Sequence, residues 1–476
     1  MATIIDVSIK MFRLEELGDS FLLSFRQKSK ENHILIDFGS FRNSAKSKLR
    51  LNKLAKEILK FCNGNIDVVV GTHQHNDHVS GFYHCSDLFK DKVEQVWLSW
   101  LDNPKIKLAE NLGNEHKDLQ SMTFKLNDEL NKVFKGSKKS NSTIPESIND
   151  IMGFYGAKTP EIPFQSINIL KELGRKKIKY LEPGQIKYID DSLKDEVKIY
   201  VLGPPMDKAK LYDIKPNSSE TYDPHLTHAV NSCHNLFGAL TNYTNSESKD
   251  EENYPFNKTF KIREKESKDG LNFTKVDLLN TNEIIKQYRN NVNKWKTIDH
   301  DWLEQASRLA LYLDTYTNNS SLVLAIELVK SGKVLLFAAD AQTGNWLSWF
   351  DVKFENEQVS TDYLLANTVF YKVGHHGSHN ATLVKGLESM THKDLIAMIP
   401  VDKTDSNITK KINGWKMPAK NLYKRLIKQT KNRVLRMDEI YATKCDPKFE
   451  PAKSSWKKSK TSVNSTDSYV EVIIKG

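Results

Sequence analysis

Short apolar runs separated by polar turns recur along the chain and predict a series of strands. The segment MFRLEELGDSFLLSF (residues 11–25) is extended and broken at Gly18, and HILIDFG (33–39) predicts a second strand. Apolar positions between Ala45 and Phe61 recur with helical spacing, and the β-branched run IDVVVGTH (66–73) is typical of a buried strand. The order strand, helix, strand favours a layered α/β fold.

The second half of the chain contains further strand patterns. KIYVLGPP (198–205) predicts a buried strand, and SSLVLAIEL (320–328) with KVLLFAAD (333–340) predicts a hairpin joined by KSGK. TVFYKVGHH (368–376) predicts another strand, and SYVEVIIKG (468–476) alternates like a half-buried one. Residues 101–135 and 301–313 are predicted to be helical, whereas residues 245–269 are charged and poor in aliphatic side chains, as in an exposed insertion.

The composition is that of an ordinary soluble globular protein, with 39% hydrophobic and 27% charged residues among 476. No apolar run approaches the roughly 20 residues that cross a bilayer, and the N-terminus lacks a signal-peptide pattern. The cysteines Cys62, Cys85, Cys233 and Cys445 form no CxxC pair, which indicates neither a disulfide framework nor a zinc ribbon. We therefore expect a cytoplasmic protein with reduced thiols and no membrane segment.

Positive charge is concentrated at the C-terminal end of the chain. The net charge is +10, and residues 401–476 contain 18 Lys and Arg against 8 Asp and Glu, which also gives +10. A basic region of this kind attracts polyanions such as nucleic acid, although a solvated lysine-rich surface would have the same composition. The interleaved aromatic residues suit stacking on bases and suit a core equally: Trp415, Tyr423, Tyr441 and Trp456.

The segment THQHNDHVSG (residues 72–81) carries the clearest chemistry of the sequence. His73 and His75 are two positions apart after a predicted strand, so their side chains point the same way and can bind one ion. Asp77 and His78 follow where the chain can turn into a helix, and they can face a second ion nearby. Imidazole and carboxylate are ligands for zinc, or for manganese or iron where oxygen ligands dominate. Because imidazoles buried this close together would otherwise need partners for every nitrogen, we expect a metal site.

This HxHxDH segment resembles that of the metallo-β-lactamase superfamily, and further motifs follow in the same order. Asp37 in ILIDFG matches an early aspartate that braces the histidine loop, and Asp340 in VLLFAADA stands where the family has a carboxylate that bridges both metals. The double histidine of KVGHHGS matches the late histidine motif. Together with GDSFLLSF and NNSSLVL, it resembles the ComEC-type hydrolases, relatives of the hydrolase domain of the bacterial DNA-uptake channel. The resemblance covers the chain in pieces and includes none of the channel's membrane helices.

The resemblance implies a four-layer αββα sandwich that extends over residues 1–476. Large insertions are expected at about residues 101–200 and 206–301, and the basic region lies at about 401–476. Two departures from the family pattern stand out. The subgroup often has Asp at the position of His75, so this chain has a more complete set of ligands for two metals. The family's small-Gly-Asp sequence is replaced by Ala338, Ala339 and Asp340.

The resemblance also implies a centre of two divalent metal ions, zinc or manganese, that share a bridging hydroxide. The expected ligands are His73 and His75 at the first metal, Asp77, His78 and His376 at the second, and Asp340 between them. Asp77 is expected to be catalytic as well, because it would orient the hydroxide. His375 is expected near the leaving group as a proton donor, and the roles of His375 and His376 are interchangeable at this point.

One ligand set of the family has no clear counterpart in the sequence, because the third histidine motif cannot be placed. His225, His228 and His234 lie in PHLTHAVNSCHNLFG, and Asn318 and Asn319 stand directly before the SSLVL strand. Either group, or water, completes the first metal's ligands.

The resemblance and the basic region together predict a phosphodiesterase or nuclease that acts on nucleic acid. Fold alone does not give the substrate, so two alternatives stay open. The first is a hydrolase of a small ester, thioester or lactam, which predicts no salt-sensitive binding of DNA or RNA. The second is an effector of a bacterial defence or toxin system, in which the insertions dock a regulatory protein partner that gates the site.

Overall fold

The β-strands form two sheets of mixed direction in a computed structural model of the chain, which confirms the predicted α/β class. The structure describes residues 3–135, 149, 151–156, 159–174, 177–212, 286–287, 290, 310, 313–355, 359–410, 414–439 and 461–476. Within these ranges, each sheet has a parallel half and an antiparallel half, so that the two sheets resemble each other in design.

The first sheet has eight strands in the order β14-β15-β1-β2-β3-β4-β5-β6. The strands are β1 (Asp6–Phe12), β2 (Ser20–Arg26), β3 (Glu31–Phe38), β4 (Ile66–Val70), β5 (Val93–Ser99), β6 (Ile178–Leu181), β14 (Ser462–Ser465) and β15 (Tyr469–Lys475). Strands β3 to β6 pair in parallel and the others pair antiparallel. The predicted final strand is thus confirmed, and it pairs with the first strand of the chain.

The second sheet has seven strands in the order β13-β12-β11-β10-β9-β8-β7. They are β7 (Ile186–Lys187), β8 (Val197–Gly203), β9 (Val323–Leu328), β10 (Lys333–Phe337), β11 (Thr368–Lys372), β12 (Ile396–Ile399) and β13 (Val434–Arg436). Strands β10 to β13 pair in parallel, and β7 to β10 pair antiparallel. The predicted hairpin of β9 and β10 is confirmed, with Ile326 opposite Leu335.

One cluster of buried apolar side chains includes residues of both sheets. Phe21 of β2 meets Phe337 of β10 edge-to-face at a ring distance of 5.7 Å, and the same cluster of buried side chains includes Leu23, Ile34 and Ile326. Helices also pack against the sheets, since α-helical side chains belong to both core clusters. Most strands are therefore buried on both faces, which explains their continuous apolar runs.

The helices have the following bounds: α1 (Ala45–Phe61), α2 (Asn76–His84), α3 (Ser86–Phe89), α4 (Lys107–Lys135), α5 (Glu161–Leu173), α6 (Lys208–Leu211), α7 (Thr343–Ser348), α8 (Thr361–Ala366), α9 (Val384–Ser389), α10 (Ser406–Thr409) and α11 (Lys420–Gln429). Helix α1 has the predicted bounds. It begins at Ala45, where the Ser44 side chain caps the first turn by accepting from the backbone N–H of Ser47. Helix α4 begins at Lys107, after the 3₁₀ turn Trp100–Asp102.

Several sequence predictions lie wholly or largely outside the described residues: the helix at 301–313, the charged stretch 245–269, most of the insertion at 206–301, and Cys233 and Cys445. Cys62 and Cys85 are free and buried, and burial raises the pKa of each thiol to about 12. In the ranges that the structure covers, no helix has the length and apolarity needed to span a membrane.

Candidate metal centre

Loops at the ends of strands from both sheets meet at one buried place. The loop after β4 carries His73 and His75 into helix α2, the loop after β10 carries Asp340, and the 3₁₀ turn after β11 carries His376. The two sheets join directly here, because Nε2 of His376 lies 2.7 Å from Oδ2 of Asp77. Residues separated by about 300 positions are thus brought into hydrogen-bonding contact.

Asp37, at the end of β3, holds the histidine loop in place. Its Oδ2 accepts from Nδ1 of His78 (2.7 Å) and from the hydroxyl of Thr72 (2.7 Å), and its Oδ1 accepts from the backbone N–H of Thr72 (2.9 Å). Gly39 lets this segment approach helix α2 closely, since a Cβ added there would lie 2.5 Å from backbone atoms of Asp77 and His78. The bracing contact expected for Asp37 is therefore present.

Four of the expected ligands form one compact group. Asp77, His78, Asp340 and His376 each present a ligand atom, and these atoms all lie within 4.8 Å of one another. All four side chains are fully buried. Nε2 of His78 lies 3.1 Å from Oδ2 of Asp340, and Nδ1 of His376 donates to the carbonyl of Pro400 at 2.6 Å. The structure thus unites the four residues predicted for the second metal and the bridge.

The donor atoms of this group fit a divalent cation. Oδ1 of Asp77 is buried without a hydrogen-bond partner, and Nε2 of His78 and Oδ2 of Asp340 are buried with only each other in reach, at 3.1 Å. A buried polar atom without a partner costs free energy, and coordination to a metal removes that cost. Imidazole nitrogen and carboxylate oxygen in this mixture suit zinc or manganese. The group can therefore hold a metal ion.

His73 and His75 form a second, smaller pair of candidate ligands. Nε2 of His73 lies 3.2 Å from Nδ1 of His75, so the two nitrogens face a common point. Nδ1 of His73 is occupied by the hydroxyls of Thr72 (3.1 Å) and Ser321 (3.3 Å). Among the described residues, no further Asp, Glu, His or Cys completes a three-ligand group with this pair.

The sequence offers two groups of candidates for a further ligand beside His73 and His75. His225, His228 and His234 lie outside the described residues. Asn319 is engaged elsewhere, because its side chain donates to the carbonyl of Leu211 and accepts from the backbone N–H of Asn345. The side-chain amide of Asn318 donates to the carboxylate of Asp314, which lies beside His75.

Two charged residues of the centre were not identified from the sequence. The buried ammonium of Lys372 forms an ion pair with Asp19, donates to Asp340 Oδ1 (3.1 Å) and donates to the carbonyl of Ala339 (2.8 Å). Burial alone would lower the pKa of Lys372, but the two carboxylates raise it above its ordinary value. Asp340 Oδ1 also accepts from the backbone N–H of His375 (2.9 Å). These bonds occupy Oδ1 and leave Oδ2 facing His78.

The signals for these two residues were present in the sequence. A lysine at the end of the apolar run TVFYK is unusual in a strand that is buried on both faces, and it indicates a buried counter-charge. Asp19 follows Gly18 in GDSFLLSF, and burial raises the pKa of its carboxyl despite the nearby Lys372.

The four imidazoles of the two groups differ in their protonation. Burial lowers the pKa of His73 well below its ordinary value and that of His75 to about 3. Burial acts in the same direction on His78 and His376, but the surrounding carboxylates outweigh it and raise both pKa values. Burial thus favours the neutral form of the first pair, and the neighbouring carboxylates favour the protonated form of the second pair.

The structure distinguishes the two adjacent histidines of KVGHHGS. His376 belongs to the four-ligand group, whereas His375 does not. Nδ1 of His375 contacts the hydroxyl of Ser378 at 2.9 Å, and its Nε2 is buried without a hydrogen-bond partner. Burial lowers the pKa of His375 to about 4, so its ring is neutral near pH 7.

Backbone strain is concentrated in the loops of this centre. Asp37, Ala339, His375 and His376 all have φ between 43° and 55°, in the left-handed region that disfavours non-glycine residues. Each such residue costs about 1–3 kcal/mol, which the surrounding structure must offset. At Ala339 a glycine would adopt φ of 47° without this strain. Strain of this kind is typical of functional sites.

Aromatic residues cover the centre on the side of His75 and His375. The ring of Phe154 lies 5.3 Å from that of His75 and 6.0 Å from that of His375, and it stacks on Trp415 at 5.2 Å. Phe41 packs edge-on against Phe154 at 4.8 Å. We call Phe41, Phe154 and Trp415 the aromatic cap. Under this cap His375 is 6% exposed and His75 is fully buried.

Comparisons with known proteins give no identity for the chain: no protein family and no curated protein sequence matches it. The functional argument therefore depends on the geometry of the centre.

Proposed function

We propose that the chain is a metal-dependent hydrolase of the metallo-β-lactamase superfamily, with a two-metal centre between the layers of an αββα sandwich. The observation that carries this proposal is the buried group of Asp77, His78, Asp340 and His376, whose ligand atoms lie within 4.8 Å of one another. The paired nitrogens of His73 and His75 beside it support a second ion. Two paired sheets with helices on other faces are compatible with the sandwich.

Most residues of the centre would serve as metal ligands. His73 and His75 would hold one ion, Asp77, His78 and His376 would hold the other, and Asp340 would supply a carboxylate ligand between them. Two divalent ions lower the pKa of a water molecule and polarise the oxygens of an electrophile.

His375 contributes differently from these ligands. Its neutral ring presents a free Nε2 in the buried site. A negatively charged substrate would raise the pKa of His375 and let it carry a proton to the leaving group.

The proposed substrate is a phosphodiester rather than a small ester, because the positive charge of the basic region suits binding of a polyanion. The test is to load the purified protein with Mn²⁺ or Zn²⁺, measure bound metal by elemental analysis, and assay single-stranded DNA, duplex DNA, RNA and a chromogenic phosphodiester. A thioester and a lactam test the alternative of carbon-centred hydrolysis. Two bound ions with phosphodiester cleavage are expected. Metal-loaded protein that cleaves only the ester substrates would replace the proposal with that alternative.

A row of exposed lysines lies next to the centre in the described part of the basic region. Lys420, Lys424 and Lys428 are spaced by four on helix α11, so they share one face of it. The helix begins against the site, since the backbone N–H of Ala419 donates to the carbonyl of Gly377 (2.8 Å). The basic region also contains a lysine cluster at Lys457, Lys458 and Lys460, which lies outside the described residues.

Replacing Lys420, Lys424 and Lys428 together by Gln is expected to weaken DNA or RNA binding and to flatten its dependence on salt. Each phosphate contact contributes about 0.9 to the slope of log K against log salt, so the slope should fall by at most about 3. The matched control replaces Lys53, Lys56 and Lys60 on helix α1, which removes the same charge elsewhere. Equal slopes for both triple variants would show that the α11 row does not bind the polyanion.

The aromatic cap favours the second alternative, in which access to the centre is controlled. The candidate ligands His75, Asp77, His78, Asp340 and His376 have no measurable exposure. A macromolecular phosphodiester can reach them only if the residues that cover them move, and the cap covers the side of His75 and His375. This closed arrangement supports a hydrolase that a regulatory protein partner opens.

Phe154→Ala is expected to open the cap and to speed the release of bound metal to a chelator. The rate should rise at least about tenfold, which corresponds to ~1.4 kcal/mol of barrier. The control is Phe354→Ala, since Phe354 has the same 4% exposure but packs against Tyr200 instead of the centre. Both variants lose about 3–5 kcal/mol of stability. If Phe354→Ala accelerates release equally, the effect is general loosening and the cap does not control access.

A further inference from the structure

The imidazoles of the centre share a pattern in how their second nitrogen is used. In three of them Nδ1 is held by a protein oxygen atom, which directs Nε2 into the centre. The distances from Nδ1 are 2.7 Å for His78 to Asp37, 2.6 Å for His376 to the carbonyl of Pro400, and 3.1 Å for His73 to the hydroxyl of Thr72.

His75 is reversed and lacks such a bond. Its Nδ1 faces the centre, 3.2 Å from Nε2 of His73, and its Nε2 is buried without a hydrogen-bond partner. Oδ1 of Asp314 lies 3.7 Å from that Nε2 and is itself buried without a partner. An imidazole N–H and a carboxylate oxygen satisfy each other, and such a bond would offset the burial that raises the pKa of the Asp314 carboxyl to about 8. The two unpartnered atoms therefore belong to one interaction, which a short movement would close.

The carboxylate of Asp314 is held ready for this contact. Asp314 is 7% exposed and lies in the helical residues 313–319. One turn later, Nδ2 of Asn318 donates to Oδ2 of Asp314 at 3.0 Å. This bond occupies Oδ2 and leaves Oδ1 for His75.

The position of Asp314 does not suit direct coordination. Among the described residues, the groups of three or more ligand atoms within 4.8 Å include Asp77 and Asp340 but not Asp314. Its carboxylate approaches the side of His75 that faces away from His73. It can orient the ring but does not share a point with both histidines.

We propose that Asp314 is the positioning residue of the first metal, which accepts from Nε2–H of His75 and thereby directs the Nδ1 lone pair at the ion. This inference rests on the proposed metal centre. A carboxylate behind a ligating histidine fixes its tautomer and raises its basicity. Such support matters most at a site where only His73 and His75 are described as ligands.

The test is a Co²⁺ titration of the full chain, because the absorption spectrum of bound Co²⁺ reports its ligand set. Asp314→Asn, which keeps the side-chain shape, should weaken one binding step about 10- to 100-fold and change the spectrum of that step. Asp314→Glu should restore most of the affinity. The control is Asp102→Asn, because Asp102 accepts from Gln74 on the other flank of the same loop (3.0 Å). It should bind Co²⁺ like the wild type.

Unchanged titration of Asp314→Asn would overturn the proposal, and so would an equal loss in Asp102→Asn. If Asp314→Asn does not fold, the imidazole ¹⁵N–¹H spectrum of the Zn²⁺-loaded wild type tests the hydrogen bond between His75 and Asp314 directly. The Nε2–H signal of His75 is assigned by its absence in His75→Asn. Slow exchange of this proton with solvent supports the bond to Asp314, and rapid exchange refutes it. Neither measurement uses a substrate. A wild type that binds two ions but cleaves no phosphodiester would refute the proposed function and leave the role of Asp314 standing.

Discussion

Asp77→Asn is expected to reduce phosphodiester hydrolysis by about a thousandfold or more while the protein stays folded. Asp77 is the carboxylate that joins His376 of the second sheet to the histidine loop of the first, at 2.7 Å. Asparagine keeps the shape but removes the charge, so one ion loses an anionic ligand. Metal ions contribute several kcal/mol to transition-state stabilisation, and about 4 kcal/mol corresponds to a thousandfold in rate. The measurement is kcat/KM of metal-saturated protein.

A matched control separates this effect from a loss of structure. Asp67 lies on β4, the strand that leads into the same loop, and accepts from the backbone N–H of His33 (2.7 Å) and from the amide of Asn32 (2.9 Å). Asp67→Asn removes the same charge from a structural network away from the metal ligands. It should keep its activity and lose only stability. Full activity in Asp77→Asn would place the catalytic centre elsewhere.

Sequence reasoning found the parts of the centre that are local in the chain. The run IDVVV and the following THQHNDH place two histidines on one side of an extended segment and Asp77 at the start of a helix. Helix α1 and the β9–β10 hairpin were predictable for the same reason, since their periodicity and turn residues lie within a few positions.

The remaining features depend on contacts between distant residues. Asp19 and Lys372 are 353 positions apart, and neither has a function until the sheets bring them to Asp340. Phe154 lies in the insertion predicted at about 101–200 and Asp314 directly after the helix predicted at 301–313, and no sequence pattern indicated what either residue contacts. The choice between His375 and His376 depends on left-handed backbone that no sequence pattern specifies.

Metal affinity at the second site is expected to rise steeply with pH. The pKa values of His78 and His376 are raised because neighbouring carboxylates outweigh the effect of burial. Below those raised values both rings hold a proton that an ion must displace. The carboxylates Asp77 and Asp340 have lowered pKa values and are already ionised. Two displaced protons make the apparent affinity change by up to about 100-fold per pH unit in this range.

Metal affinity at the first site, by contrast, should change little with pH. His73 and His75 are neutral at pH 6 to 8 because burial lowers their pKa values, so an ion displaces no proton from them. Titrations at pH 6, 7 and 8, each in two buffers of different ionisation enthalpy, measure both affinity and protons released. Two steps with the same pH dependence would contradict the assignment of the histidines to separate ions.

The same protons determine how the protein responds to losing its metal. For His78 and His376 the folded-state pKa lies above the unfolded value near 6.5, so their stabilising effect is complete below pH 6.5 and is lost as pH rises through the folded-state values. Above that range the buried carboxylates Asp77 and Asp340 lose these two positive charges, and among the described residues Lys372 remains as the ammonium that contacts Asp340, unless an ion is bound. The fall in Tm on adding a chelator should therefore be small at pH 6 and grow toward pH 9. A chelator effect that shrinks with rising pH would mean that the imidazolium groups do not substitute for the metal.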